Sequence, residues 1–166
     1  EFSVNDESTE HFKETYEGLV RKILGAAWNP AVLLVHNVFY QNGANAQVMH
    51  AAIGRHYDLP SVSMQSSIYP EVVSGRIENR AITPDDLHPN DEGHALVASV
   101  ITYFLEQVRS GKLTGNNTSF APGAKLPAPL TKNAYEDSVR IRNAAAPDMA
   151  GLPQPLMEGF VPDEAA

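Results

Sequence analysis

The run Ala31-Val32-Leu33-Leu34-Val35 is apolar throughout and does not alternate. A strand with one wet face alternates, so an unbroken run of this kind belongs in a parallel sheet covered on both faces. The period changes on either side of it. Phe12, Tyr16, Leu19, Val20, Ile23 and Leu24 recur at helical spacing and stop at Gly25. After a turn at Gly43, the residues Ala46, Met49, Ala52, Ile53 and Tyr57 make a second helical stripe. Leu59-Pro60-Ser61-Val62-Ser63-Met64 is a further short strand, and Phe2 to Val4 fits the end of an earlier one, followed by Asp6 and Ser8 as candidate helix N-caps. The order β-α-β-α-β predicts an α/β fold with helices layered on a parallel sheet.

Beyond the third strand, Ser66 to Ser74 fits a brief helix with Pro70 in its first turn, and Gly75 to Asn90 shows no period. Asn90 is placed to cap a last helix whose apolar face is Leu96, Val97, Val100, Ile101, Phe104, Leu105 and Val108, with Gly111 as its stop. In folds of this class ligands bind at the carboxyl ends of the strands. Asn5, His36, Asn37 and His88 are expected to converge there, with His36 and Asn37 as substrate contacts.

A hydroxyl nucleophile needs an imidazole to take its proton, and the imidazole needs an acceptor on its other nitrogen. Asp85 and His88 suit that second requirement. They are three residues apart in a turn, and Pro89 restricts His88 toward extended backbone. The longer pattern Asp85-x-x-His88-Pro89-Asn90-Asp91-x-Gly93-His94 resembles the final motif of the SGNH, or GDSL, hydrolase superfamily. That resemblance implies a catalytic role for Asp85 and His88. The family's Gly-x-Asn-Asp block has its counterpart in Ser3-Val4-Asn5-Asp6, where Asn5 matches the oxyanion Asn and Ser3 replaces the usual Gly. A side-chain amide aimed at a developing oxyanion can contribute roughly two to three orders of magnitude in rate.

The resemblance covers Glu1 to about Gly111 and implies a three-layer α/β/α flavodoxin-like fold with a parallel sheet, lacking its N-terminal strands. The family's nucleophile block, Gly-Asp-Ser, is not in the chain. Ser61, Ser63, Ser66 and Ser67 lack its setting, so the nucleophile is expected from outside. A first residue other than Met, leading straight into an apolar run, fits a chain that begins inside a strand. Residues 1–111 are thus expected to be the C-terminal part of an SGNH domain. Residues 112–166, rich in proline at 122, 127, 129, 147, 153, 155 and 162, are expected to be an extended tail or linker toward an accessory β-sandwich domain.

Each motif also has a plainer interpretation. Asp85 with His88 could simply close a turn, and Asn5 could cap the first helix. His94 is expected to be a packed helix residue, and His50 and His56, lacking the spacing of a metal pair, to lie on the surface. Asp86 is the alternative partner of His88. Asn116-Asn117-Thr118 has the form of a glycosylation acceptor.

A net charge of -8, with scattered lysines and arginines, argues against nucleic acid as a partner, and no run is apolar enough to span a membrane. With no cysteine there is neither disulfide nor thiolate metal site, and no metal or cofactor is expected. The compartment is left open, with a secreted or cell-surface setting favoured. The expected activity is hydrolysis of short acyl esters, such as acetyl groups on carbohydrate. Expected partners are an acylated small molecule or polysaccharide, and an N-terminal half of the same protein or a second copy. The alternatives are an inactive fragment or pseudoenzyme acting by association, and a carbohydrate-binding module.

Overall fold

Thr9, not Asp6 or Ser8, starts the first long helix: its extended backbone lets the side-chain oxygen accept from the Phe12 N–H. The computed structural model describes residues 2–113 and 125–138. The acceptor motif at Asn116 and the prolines beyond 138 lie outside the described residues. In chain order the elements are α1 (Phe2–Asn5), α2 (Glu10–Leu24), β1 (Leu34–His36), α3 (Gln47–His56), β2 (Ser61–Ser63), α4 (Tyr69–Val73), α5 (Asn79–Ile82) and α6 (Asp91–Arg109). This is a mixed α/β arrangement with a small parallel sheet of two strands.

Two expectations are corrected. Phe2 to Val4 is helical, not the end of a strand. Instead of a neighbouring strand, the Ser3 hydroxyl meets the backbone just past β1, accepting from the Asn37 N–H at 2.8 Å and donating to the Asn37 carbonyl at 3.3 Å. The first turn closes on itself, Asp6 N–H donating to Phe2 O at 3.0 Å. The stretch from Gly75 to Asn90 is not without structure either, since it contains α5.

The ladder pairs Leu34 with Ser61, Val35 with Val62 and His36 with Ser63. In a parallel pair, residues in register share a face. Leu34 therefore faces α3, its side chain lying over Gly54, where a Cβ would approach it to 2.8 Å. Ser63 points the same way, its hydroxyl 2.5 Å from Gln47 Oε1. Behind α3 a core of Val20, Ile53 and Tyr57 with Tyr16, Leu24 and Leu59 joins it to α2. On the opposite face Val62 belongs to a second core with Val38, Tyr40, Met64, Ile68 and Ile82, against which Leu96, Val97, Val100, Ile101 and Phe104 of α6 pack. Helices thus cover both faces of the strand pair. Cover on the second face is partial: Val35 is 40% exposed, and Leu105 and Val108 at the end of the α6 stripe are exposed as well.

The described residues up to Glu136 belong to one compact unit. Within it, the segment from Lys125 to Glu136 lies against α2. Glu17 is fully buried, and its carboxylate accepts from Tyr57 OH (2.5 Å), Leu130 N (2.6 Å), Thr131 N (2.7 Å) and Thr131 Oγ1 (2.5 Å). Burial pushes this carboxyl up, but the bonds from Thr131, Tyr57 and Leu130 outweigh it and hold the group below its ordinary value. Arg21 adds bonds to the Pro127 carbonyl at 2.7 Å and to Glu136 at 2.8 Å. Such a buried charge persists because every lone pair has a donor.

Candidate active site

The loop between α5 and α6 is built by its own side chains. Asn90 caps α6 by accepting from Gly93 N at 3.0 Å, while its amide donates to Ala81 O at 2.9 Å and its backbone N–H to Ile82 O at 3.0 Å. One residue thus joins the start of α6 to the end of α5. Gly93 allows it: a Cβ there would overlap the Ile82 carbonyl and sit 2.9 Å from Pro89 Cβ. The glycine of the sequence motif is a close-approach position, a role that the pattern alone did not disclose.

Asp86 sits at φ 73, a left-handed conformation that is uncommon outside glycine. It is held there from several sides. Its N–H donates to Thr83 Oγ1 (3.1 Å), its carbonyl accepts from Tyr40 N (2.8 Å), and its carboxylate accepts from Asn79 Nδ2 (2.5 Å) and Arg80 (2.9 Å). Arg80 also donates to Pro84 O at 2.6 Å. Asp86 is accordingly a loop anchor, with its carboxylate committed to Asn79 and Arg80.

Asp85 is directed at His88. Its Oδ2 lies 2.7 Å from His88 Nδ1, and its Oδ1 accepts from the backbone N–H groups of His88 (2.8 Å) and Leu87 (3.1 Å). The side-chain bond from His88, then its backbone N–H, draw the Asp85 carboxyl down to about 2. An ionised carboxylate only accepts, so the Nδ1 proton is shared with Asp85 and the lone pair of the neutral ring lies on Nε2. That is the arrangement a general base requires. Both side chains are more than half exposed.

His88 lines a cavity of about 380 Å³ together with Ser3, Val4, Val35, Asn37, Met64, Leu87, Pro89, His94 and Val97. Among these only Ser3 carries a hydroxyl, and that hydroxyl is engaged with the Asn37 backbone. Ser63 and Ser67, two of the serines near β2, are bonded to Gln47 and to the Ser63 carbonyl. Asn37 and His94 both line the cavity. Asn5 ends α1 on an exposed position next to the cavity residues Ser3 and Val4, without lining the cavity itself.

His36 is placed differently from Asn37. It is buried on the α3 face of β1, 1% exposed, with neither ring nitrogen partnered among the described residues. Burial, and secondarily His50, lower its pKa to about 4, so the ring is neutral. His50 is not a surface residue as expected. It is 1% exposed, its Nε2 is 3.0 Å from Asp6 Oδ2, and its ring stacks on Tyr16 at 3.9 Å. Asp6 and His50 are 44 residues apart, and no local pattern links them. His56 is partly exposed and bonds to Ala128 O at 2.7 Å. Among the described residues there is no group of three or more histidine, cysteine or acidic side chains able to hold a metal, and no helix is long and apolar enough to cross a membrane.

No family model and no curated protein matches the chain. Among solved structures it is similar to a two-domain esterase (CEX) active on acetylated mannans, co-crystallized with mannopentaose, at 68% identity and a TM-score of 0.75. The match covers 86% of this chain and 36% of that one. A second structure of a two-domain esterase of the same description, without the oligosaccharide, matches at 69% identity with a TM-score of 0.75, over 86% of this chain and 37% of the other. The chain spans a little over a third of the length of these esterases.

Proposed function

We propose that this chain supplies the acid-base part of an SGNH-type serine esterase that removes acetyl groups from mannan. The observation that carries the proposal is the Asp85–His88 pair, bonded at 2.7 Å on the wall of a cavity, in a chain 68% identical to an esterase active on acetylated mannans. The covered faces of the strand pair are in keeping with a three-layer flavodoxin-like domain of which the chain is the C-terminal part.

In the proposed mechanism a serine outside residues 1–166 attacks the acetyl carbonyl. His88 Nε2 takes the hydroxyl proton, and Asp85 holds the ring's tautomer and stabilises the imidazolium that forms. Asn5 donates its amide to the oxyanion, and Asn37 contacts the sugar. His88 then gives the proton to the sugar oxygen as its bond to the acetyl carbon breaks, releasing the sugar hydroxyl, and water repeats the sequence on the acyl-enzyme. No cofactor enters the scheme.

The test is acetate release from acetylated mannan oligosaccharides by the full-length protein. Replacing His88 by alanine should lower turnover by about 10⁴-fold or more, on the pattern of other triad histidines. Retained turnover would refute the assignment. Association with the nucleophile-bearing part gives the exposed Val35 and the end of the α6 stripe a role, as surface that such a partner would cover.

A further inference from the structure

We infer that Asp6 and His50 form a buried positioning pair that holds Asn5 in place for the oxyanion role, an inference that rests on the esterase reading above. A helix as short as α1 has no stability of its own. It is tied down at three points. The Ser3 hydroxyl meets the Asn37 backbone, the Ser3 carbonyl accepts from Ala46 N at 2.6 Å, and Asp6 Oδ2 meets His50 Nε2 at 3.0 Å. Asn5 lies between the Ser3 ties and the Asp6 tie, so its backbone is fixed on both sides.

The third tie differs from the others. It is made by side chains at both ends, and those side chains are 10% and 1% exposed. An ionised Asp6 can only accept, so the proton sits on Nε2 of His50. The other ring nitrogen is buried without a partner among the described residues, which leaves Asp6 as the polar contact that orients the ring. Tyr16 completes the setting by stacking on His50 with an interplanar angle of 15°. His50 does not line the cavity, so its side chain acts on catalysis at one remove, and its polar link toward Asn5 is the bond to Asp6. Oxyanion donors need that stiffness, because a displacement of about 1 Å at a reacting group can cost on the order of 100-fold in rate.

The two amide replacements of His50 separate holding from packing. In His50→Gln the amide nitrogen falls near the position of Nε2 and can still donate to Asp6. In His50→Asn it falls near Nδ1, out of reach. Measured on acetylated mannan oligosaccharides with the full-length protein, His50→Asn should lower kcat by about 10- to 100-fold with KM unchanged, as expected for a displaced oxyanion donor. A boronic acid that mimics the tetrahedral intermediate should lose affinity in step. His50→Gln should recover most of the loss.

The same His50→Asn change made in an Asn5→Ala background should cost little further, since the donor it positions is already gone. An equal loss in both backgrounds would show that the pair only stabilises the fold and would overturn the inference. If His50→Asn does not fold, the isosteric Asp6→Asn serves instead, with a smaller loss of kcat expected and, again, little further loss in the Asn5→Ala background. An unchanged kcat in that variant overturns the inference too. The His88→Ala protein, assayed alongside, keeps the two failures apart. Activity retained there defeats the esterase reading, whereas an inactive His88→Ala beside an unaffected His50→Asn defeats only the positioning role.

Discussion

Among the described residues are two carboxylate–imidazole pairs of similar length and opposite surroundings. Asp85 and His88 are three residues apart, bonded at 2.7 Å and more than half exposed. Asp6 and His50 are 44 residues apart, bonded at 3.0 Å and almost wholly buried. The difference shows how burial sorts one chemistry into two uses. An exposed imidazole can take up and release protons beside a substrate, and its carboxylate partner stabilises the cation. A buried imidazole is penalised for becoming charged. Desolvation lowers the His50 pKa, and the bond from Asp6 and its charge only partly oppose it. The first pair is suited to turnover, the second to holding.

The contrast can be broken most directly by neutralising each carboxylate in turn. Asp85→Asn should lower turnover by roughly 10²- to 10⁴-fold, because the ring loses its oriented tautomer, and, the pair being exposed, should lower the unfolding midpoint only slightly. Asp6→Ala should instead lower stability by about 2–3 kcal/mol in denaturant titration, since it strands a buried donor. If the Asp85 change cost stability and the Asp6 change did not, the division between the pairs would be reversed. Gly93→Ala probes the scaffold of the exposed pair. Its Cβ meets the Ile82 carbonyl, so a loss of about 1–3 kcal/mol is expected, with turnover impaired as the Asn90 cap shifts.

Two smaller effects depend on pH. The Asp85 carboxyl should titrate with a midpoint of about 2 when followed by carbon NMR. Its folded value is depressed, so the contribution of the pair is complete above the unfolded value near 4 and lost as pH falls through about 2. A midpoint at the ordinary value would mean that the pair is not formed in solution. His36 works in the same sense, at a higher pH. Its pKa falls from 6.5 to about 4, so the unfolded chain binds the proton first and stability should decline as pH drops from 6.5 toward 4. His50 lies beside it and contributes in the same direction, hence His36→Leu should flatten the decline only in part.

Local chemistry was legible in the sequence and distant pairing was not. The turn Asp85-x-x-His88 and the Asn90 cap depend on residues within a few positions of one another, so the local pattern and its resemblance to a family motif pointed to them. The helical stripes of α2 and α6 were visible from their period, and the strand that begins at Leu34 from the unbroken apolar run that leads into it. What escaped prediction depends on partners far along the chain. Phe2 to Val4 is compatible with a strand by composition, but Ser3 meets Asn37, 34 residues on, and the segment coils. His50 looked like a surface residue because nothing near it announces Asp6. Glu17 drew no notice as one more acid on a helix, yet it gathers Tyr57, Leu130 and Thr131 around a buried charge. Asp86 was the less favoured partner of His88 on spacing, and its carboxylate is engaged instead by Asn79 and Arg80.

The measurement that bears most directly on the central claim is labelling of the full-length protein with a serine-directed fluorophosphonate, followed by mapping of the modified peptide. A single labelled serine outside residues 1–166 is expected, with labelling lost when His88 is replaced by alanine. A label on Ser3, Ser61, Ser63, Ser66 or Ser67, or labelling indifferent to His88, would contradict that claim.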